Sequence, residues 1–127
     1  MGGIRHLTGY PRAVTDLPPP RCGISIGDDL AGMYGAIGLL AALWQRDAAG
    51  TGRGRVIDVN LVDAIFSLME GMLPEYALDG RIRQPFGAAL PTAAPSNTYP
   101  CNDGKWLVIA GNSDPIFRRL MPAIGRP

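Results

Sequence analysis

The chain has few of the residues that build metal sites and redox frameworks. Its 127 residues include one histidine, His6, and two cysteines, Cys22 and Cys101. No spacing among them matches a metal site, and two cysteines are too few for a disulfide framework, so both are read as reduced thiols. Lysine is almost absent, with Lys105 alone among the basic residues that are otherwise arginine. The net charge is only +1, which lacks the basic excess of a nucleic-acid binder or of a polybasic membrane segment. The first twenty residues hold no apolar signal core, and Pro18-Pro19-Pro20 would interrupt one. The longest apolar stretch, Leu30 to Trp44, is punctuated by Gly32, Gly35 and Gly38 and is shorter than the ~20 residues of a membrane span. These absences are read together as a soluble cytoplasmic chain with no metal, no nucleic-acid partner and no membrane partner. Neither a P-loop, a Gly-x-Ser-x-Gly nor a His-Glu-x-x-His occurs, and Gly27 to Gly32 lacks the Gly-x-Gly-x-x-Gly spacing.

Glycine (17) and proline (12) are abundant and partition the chain. Residues 1–27 are mostly turn and extended backbone, because proline restricts itself and the residue before it. Cys22 to Ile26 is a candidate strand. A helix is expected from Gly27-Asp28-Asp29, with Leu30, Met33, Tyr34, Ile37 and Trp44 on one face. Its three interior glycines each cost ~1 kcal/mol relative to alanine, so another backbone is expected to approach there closely. Gly50-Thr51-Gly52-Arg53-Gly54 ends it. Val56-Ile57-Asp58-Val59 reads as a short strand. Asn60 is a candidate N-cap for a second helix that Pro74 ends or kinks. Residues 79–97 read as a linker, long for a connection inside one compact domain. Asn102-Asp103-Gly104 between two apolar runs marks a hairpin. Ser113-Asp114-Pro115 launches a third helix, which runs to Pro122.

Chemistry is concentrated in Asp28-Asp29, a carboxylate pair after glycine at a helix start. Aspartate is a good N-cap, worth ~1 kcal/mol, and capping is one reading of Asp28. The other is a carboxylate nucleophile or base, with Gly27 giving a substrate close access. Composition leaves both open. Among the other conspicuous residues, His6 is read as a surface or loop histidine, Trp44 and Trp106 as core or interface anchors, and Tyr34 as packed. Arg53 and Arg55 are read as solvated, and Asp58 as paired with an arginine.

An ordered series of motifs resembles the family III CoA-transferases, the CaiB/BaiF group. It runs through Gly3-Ile4 to Thr8-Gly9, Pro19-Pro20, Gly23-Ile24-Ser25-Ile26-Gly27-Asp28 and the helix with Gly35 to Leu43. It continues through Thr51 to Val59 and Ala94 to Trp106. The family's catalytic aspartate stands in Gly-Asp-x-x-x-Gly, here Gly27, Asp28 and Gly32; Asp29 has the wrong spacing. The resemblance implies Asp28 as the catalytic residue and Gly27 and Gly32 as substrate-loop candidates. It also implies that CoA moves from an acyl-CoA donor to a carboxylic acid acceptor through an aspartyl-CoA thioester. No cofactor is expected beyond the CoA thioester itself, which is substrate.

The implied fold is α/β. Residues 1–78 would be part of a Rossmann-like large domain, 79–97 a linker, and 98–127 the start of a small α+β domain. The implied assembly is an interlocked homodimer of longer chains, with most CoA-contacting residues before Met1, so that this chain alone is expected to be truncated and inactive. Two departures stand out. Formyl- and oxalyl-transferring members carry a run of glycines near the linker, and at that place this chain has the isolated Gly87 alone. His6 lies outside the segment that supplies the histidine of the family's racemases. An acyl-CoA racemase or epimerase with Asp28 as acid/base, or a non-catalytic fragment, are the alternatives.

Overall fold

The computed structural model describes residues 2–126. In chain order it contains α1 (Ile4–Leu7), α2 (Ile26–Asp47), α3 (Leu61–Phe66), α4 (Met72–Asp79), β1 (Ser96–Pro100), β2 (Trp106–Ala110) and α5 (Asp114–Ala123). Helices and one small antiparallel sheet make up an α/β chain. It divides into two compact units: the residues up to Thr8 with Pro18–Gln84, and Gly9–Leu17 with the residues from Pro85 on.

In the first unit α2 packs on α3. α2 opens where Asp29 N donates to Ser25 O at 3.0 Å. Ser25 is the N-cap, and Asp28 and Asp29 lie inside the first turn, where the helix dipole favours negative charge. The helix closes at Asp47. Thr51 N and Thr51 Oγ1 both donate to Gln45 O, at 3.2 and 2.8 Å, and Gly50 takes a left-handed φ of 68° that ends the run. By length and composition α2 is apolar enough to cross a membrane, a test that the core helix of a soluble protein also passes. Its charged residues cluster at the two ends: Asp28 and Asp29, then Arg46 and Asp47.

α3 has Asn60 as its N-cap, and the Asn60 side chain accepts from Asp63 N at 2.8 Å. The helix buries Ala64 and Ile65, and Met69 follows; these three form the core among the described residues. Full burial of a side chain like Ile65 contributes roughly 1.5–3 kcal/mol.

The helix expected from residue 61 to Pro74 and beyond is two helices. A proline in the middle of a continuous helix would clash with the carbonyl four residues earlier. The chain breaks before it, with Glu70 in the left-handed region at φ 50°. α4 then restarts at Met72, so that Pro74 sits in its first turn, where no N–H is missed. Arg83 closes over the break. Its Nε donates to Glu75 at 2.8 Å and its Nη1 to Glu70 at 3.0 Å. This fork holds Glu75 below the usual carboxylate range.

In the second unit β1 and β2 pair antiparallel from Ser96↔Ala110 to Pro100↔Trp106. The connection uses the expected Asp103-Gly104: Gly104 takes φ 79°, Gly104 N donates to Cys101 O at 3.1 Å, and Cys101 N to Lys105 O at 2.8 Å. Gly111 is buried against Pro95, with its N donating to Pro95 O at 2.6 Å. α5 starts at Asp114 with Pro115 in its first turn and continues one residue past Pro122.

Several local expectations are corrected. Neither 22–26 nor 56–59 forms a strand. A strand needs a partner, and β1 and β2 pair with each other. Ile57 packs on Gly38 instead, its Cγ2 2.8 Å from where a Cβ would stand. The backbone approach expected at the glycines of α2 is therefore not found: a side chain makes the close contact, at Gly38 alone of the three, and nothing comes within 4 Å of a Cβ built on Gly32 or Gly35. Trp44 and Trp106 are 64% and 69% exposed rather than core. Tyr34 is exposed, its hydroxyl 2.8 Å from Ser67 Oγ. Asp58 makes no ion pair with an arginine among the described residues.

Candidate functional site

Three pieces of chain meet at the start of α2: the short α1, the Arg21–Ser25 segment that enters α2, and α3. Between them lies a cavity of about 510 Å³, within the ~300–1,000 Å³ usual for small-molecule sites. Its apolar wall is Ile4, Ile26, Leu61 and Ile65; its polar wall is Arg5, Arg21, Cys22, Ser25 and Asp28. The buried Ile65 therefore serves both core and site.

Asp28 is the third residue of α2, not its N-cap, which removes the simple capping reading. Its side chain is exposed and makes no hydrogen bond or ion pair among the described residues. Among the described residues it is the one carboxylate lining the cavity; Asp29, one residue on, does not line it. An unpaired carboxylate at a cavity wall keeps its lone pairs for an electrophile or a proton. The first turn of α2 is positioned by Gly27. A Cβ there would stand 3.6 Å from Ile65 Cγ1 and 4.0 Å from Leu61 Cδ2, so the helix start lies directly on α3.

Gly27 and Gly32, expected on a substrate loop, are both helical residues of α2. Gly27 lines the cavity; Gly32 does not. Cys22 is a half-buried free thiol, and Cys101 is free and exposed. Thr8 Oγ1 lies 3.9 Å from Cys22 Sγ. Arg53 and Arg55 are exposed, as expected.

His6 belongs elsewhere. Its Nε2 lies 3.1 Å from Arg83 O, and it lines a separate, mostly apolar cavity of about 380 Å³ with Phe66, Met69 and Tyr76. The sole histidine and Asp28 therefore do not share a cavity. No group of three or more potential metal ligands occurs among the described residues.

The sequence reading missed Arg5 and Arg21. They lie on opposite sides of the proline-rich segment, and no periodicity or motif links them; the fold alone puts both on the wall of the cavity that Asp28 lines.

Comparison with known proteins gives one consistent picture. The profile of CoA-transferase family III matches residues 1–127. The chain is 51% identical over 127 residues to succinyl-CoA–D-citramalate CoA-transferase of Chloroflexus aurantiacus, covering all of this chain and 30% of that protein. It is 38% identical over 127 residues to the alpha subunit of succinyl-CoA–L-malate CoA-transferase of Chloroflexus aurantiacus, covering all of this chain and 28% of that protein. Among solved structures, it resembles the crystal structure of a CAIB/BAIF family protein from Brucella suis, with a TM-score of 0.74 and 33% identity. That match covers 98% of this chain and 31% of the other. The chain thus spans about 30% of the length of the relatives it matches.

Proposed function

The chain belongs to CoA-transferase family III, and on that premise we propose that it serves in moving CoA from an acyl-CoA donor to a carboxylic acid acceptor, with Asp28 as the nucleophile. One observation supports the assignment above the others. Asp28, and not its neighbour Asp29, presents an unpaired carboxylate to the cavity at the start of α2.

The steps follow from carboxylate and thioester chemistry. A carboxylate oxygen of Asp28 attacks the thioester carbonyl carbon, the C–S bond breaks, and CoA thiolate leaves a mixed anhydride. The thiolate then attacks the Asp28 carbonyl carbon and expels the donor acid as its carboxylate. The product is an aspartyl-CoA thioester. An acceptor carboxylate attacks that carbonyl, the thiolate leaves again, and a second anhydride forms. Thiolate attack on the acceptor's carbonyl releases the new acyl-CoA and restores Asp28. Every bond broken is matched by one formed, and no proton or electron enters the net reaction.

The names of the two Chloroflexus relatives make succinyl-CoA the donor to try first. The proposal also takes the working enzyme to be a cytoplasmic, interlocked homodimer, as the family resemblance implies. A direct test uses a hybrid in which this chain replaces the segment it matches in the D-citramalate enzyme. Brief incubation with succinyl-CoA, an acid quench and peptide mass spectrometry should find a succinyl or CoA adduct on the peptide containing Gly27-Asp28-Asp29. An adduct on a different peptide would overturn the assignment.

A further inference from the structure

The Asp28 cavity holds more positive charge than the nucleophile balances. Arg5 of α1 and Arg21 both line it, and Asp28 is the only acid among the described residues that does. Neither arginine makes an ion pair among the described residues, whereas Arg46, Arg81 and Arg83 each do. Arg5 donates its Nε–H to Pro19 O at 3.3 Å. That bond tethers the side chain and leaves the donors on its two terminal nitrogens available. No hydrogen bond restrains Arg21 among the described residues.

We infer that Arg5 and Arg21 are a specificity-determining anchor for a second carboxylate, so that the site takes acyl groups and acceptors that are short dicarboxylic acids. The inference rests on the reading of Asp28 as nucleophile only for which end of the acid reacts. That end meets Asp28. The chain between the ends lies over Ile4, Leu61 and Ile65, and the far carboxylate meets the arginines. A guanidinium suits this role because its planar fork matches a carboxylate in two parallel bonds. The phosphates of CoA are the other anion in the reaction. They lie at the far end of the pantetheine arm from the thioester, so they do not share this cavity while the thioester carbonyl is at Asp28.

The test needs no turnover. Arginine Nε–H signals are followed by NMR in this chain during titration with succinate, with butyrate as the monoacid of equal length, and with adenosine 3′,5′-bisphosphate as the phosphate probe. Succinate should shift the Arg5 and Arg21 signals saturably and bind about ten-fold or more tightly than butyrate, the scale of one charge-assisted hydrogen bond. The Arg46 and Arg83 signals should stay in place and report an intact fold. Arg5→Gln and Arg21→Gln should each lose that preference, and Arg21→Lys should recover part of it. Asp28→Asn should still bind succinate, which separates the anchor from the nucleophile. Equal response to succinate and butyrate overturns the inference, as does response to the bisphosphate alone or unchanged succinate binding in both glutamine variants. None of these outcomes bears on where an acyl adduct forms.

Discussion

The place a Cβ would occupy on Gly27 lies 3.6 Å from Cγ1 of Ile65, so the first turn of α2 rests on a side chain that is only 3% exposed. The residue that follows Gly27 is Asp28. The position of the carboxylate is therefore set by a contact in the core, one residue away from the chemistry.

In the hybrid enzyme, Asp28→Ala should lower kcat by roughly three orders of magnitude or more, because it removes the atoms that form the acyl-enzyme bond. Asp29→Ala should remove only a favourable charge in the first helical turn, ~0.3–1 kcal/mol of stability, and leave kcat near normal. Steady-state kinetics of the two variants separates the roles; equal losses would refute the assignment.

Glycine substitutions in α2 should divide by what lies opposite. Gly32→Ala faces open space, so it should stabilise the helix by about 1 kcal/mol from propensity alone. Gly38→Ala would bring a methyl within 2.8 Å of Ile57 Cγ2, and overpacking of that kind costs ~1–3 kcal/mol. Amide hydrogen exchange along α2 should show slower opening in the first variant and faster opening in the second.

Ile65→Ala should be the costliest apolar truncation, at ~2–5 kcal/mol. The residue belongs to a core of three side chains and also lines the Asp28 cavity. Hydrogen exchange of the α3 amides measures the loss. Protection equal to that of the parent chain would show that Ile65 does not hold α2 on α3.

The Arg83 fork makes local stability depend on acidity. Glu75 is pulled below its ordinary value of 4.5, chiefly by the hydrogen bond from Arg83. A lowered folded value means that the carboxylate's contribution is complete above about pH 4.5 and fades as pH falls through the lowered value. Protection factors of the α4 amides, which remove the intrinsic pH dependence of exchange, should therefore fall on acidification below pH 4.5. In Glu75→Gln this fall should shrink, and an unchanged profile would exclude the pair as its source.

What could be read from the sequence was what local chemistry decides. The start of α2, the Asn60 cap, the Asp103-Gly104 hairpin and the Ser113-Asp114-Pro115 helix start all depend on neighbours within a few residues, and all are present. Strands at 22–26 and 56–59 were misread because β-branched residues favour an extended chain but cannot supply the partner that makes it a strand. For Trp44 and Trp106 the sequence leaves core and interface open, and their exposure, a tertiary property, excludes only the core. Within the site, Asp28 stood out through a contiguous motif. Arg5 and Arg21 did not, since residues so far apart in the chain come to one cavity wall only through tertiary structure.

α2 behaves mechanically as a rod gripped at two points. Ile65 holds it at Gly27 and Ile57 holds it at Gly38, about 16 Å apart along an axis that rises 1.5 Å per residue. The grips are not equivalent. If the Gly38 grip slackens, the rod pivots about a point next to Asp28, and the carboxylate barely moves. If the Gly27 grip slackens, the pivot moves to Gly38 and the lever arm to Asp28 is about 15 Å. A tilt of only about 2° then carries the carboxylate roughly 0.5 Å, the full tolerance of a reacting group.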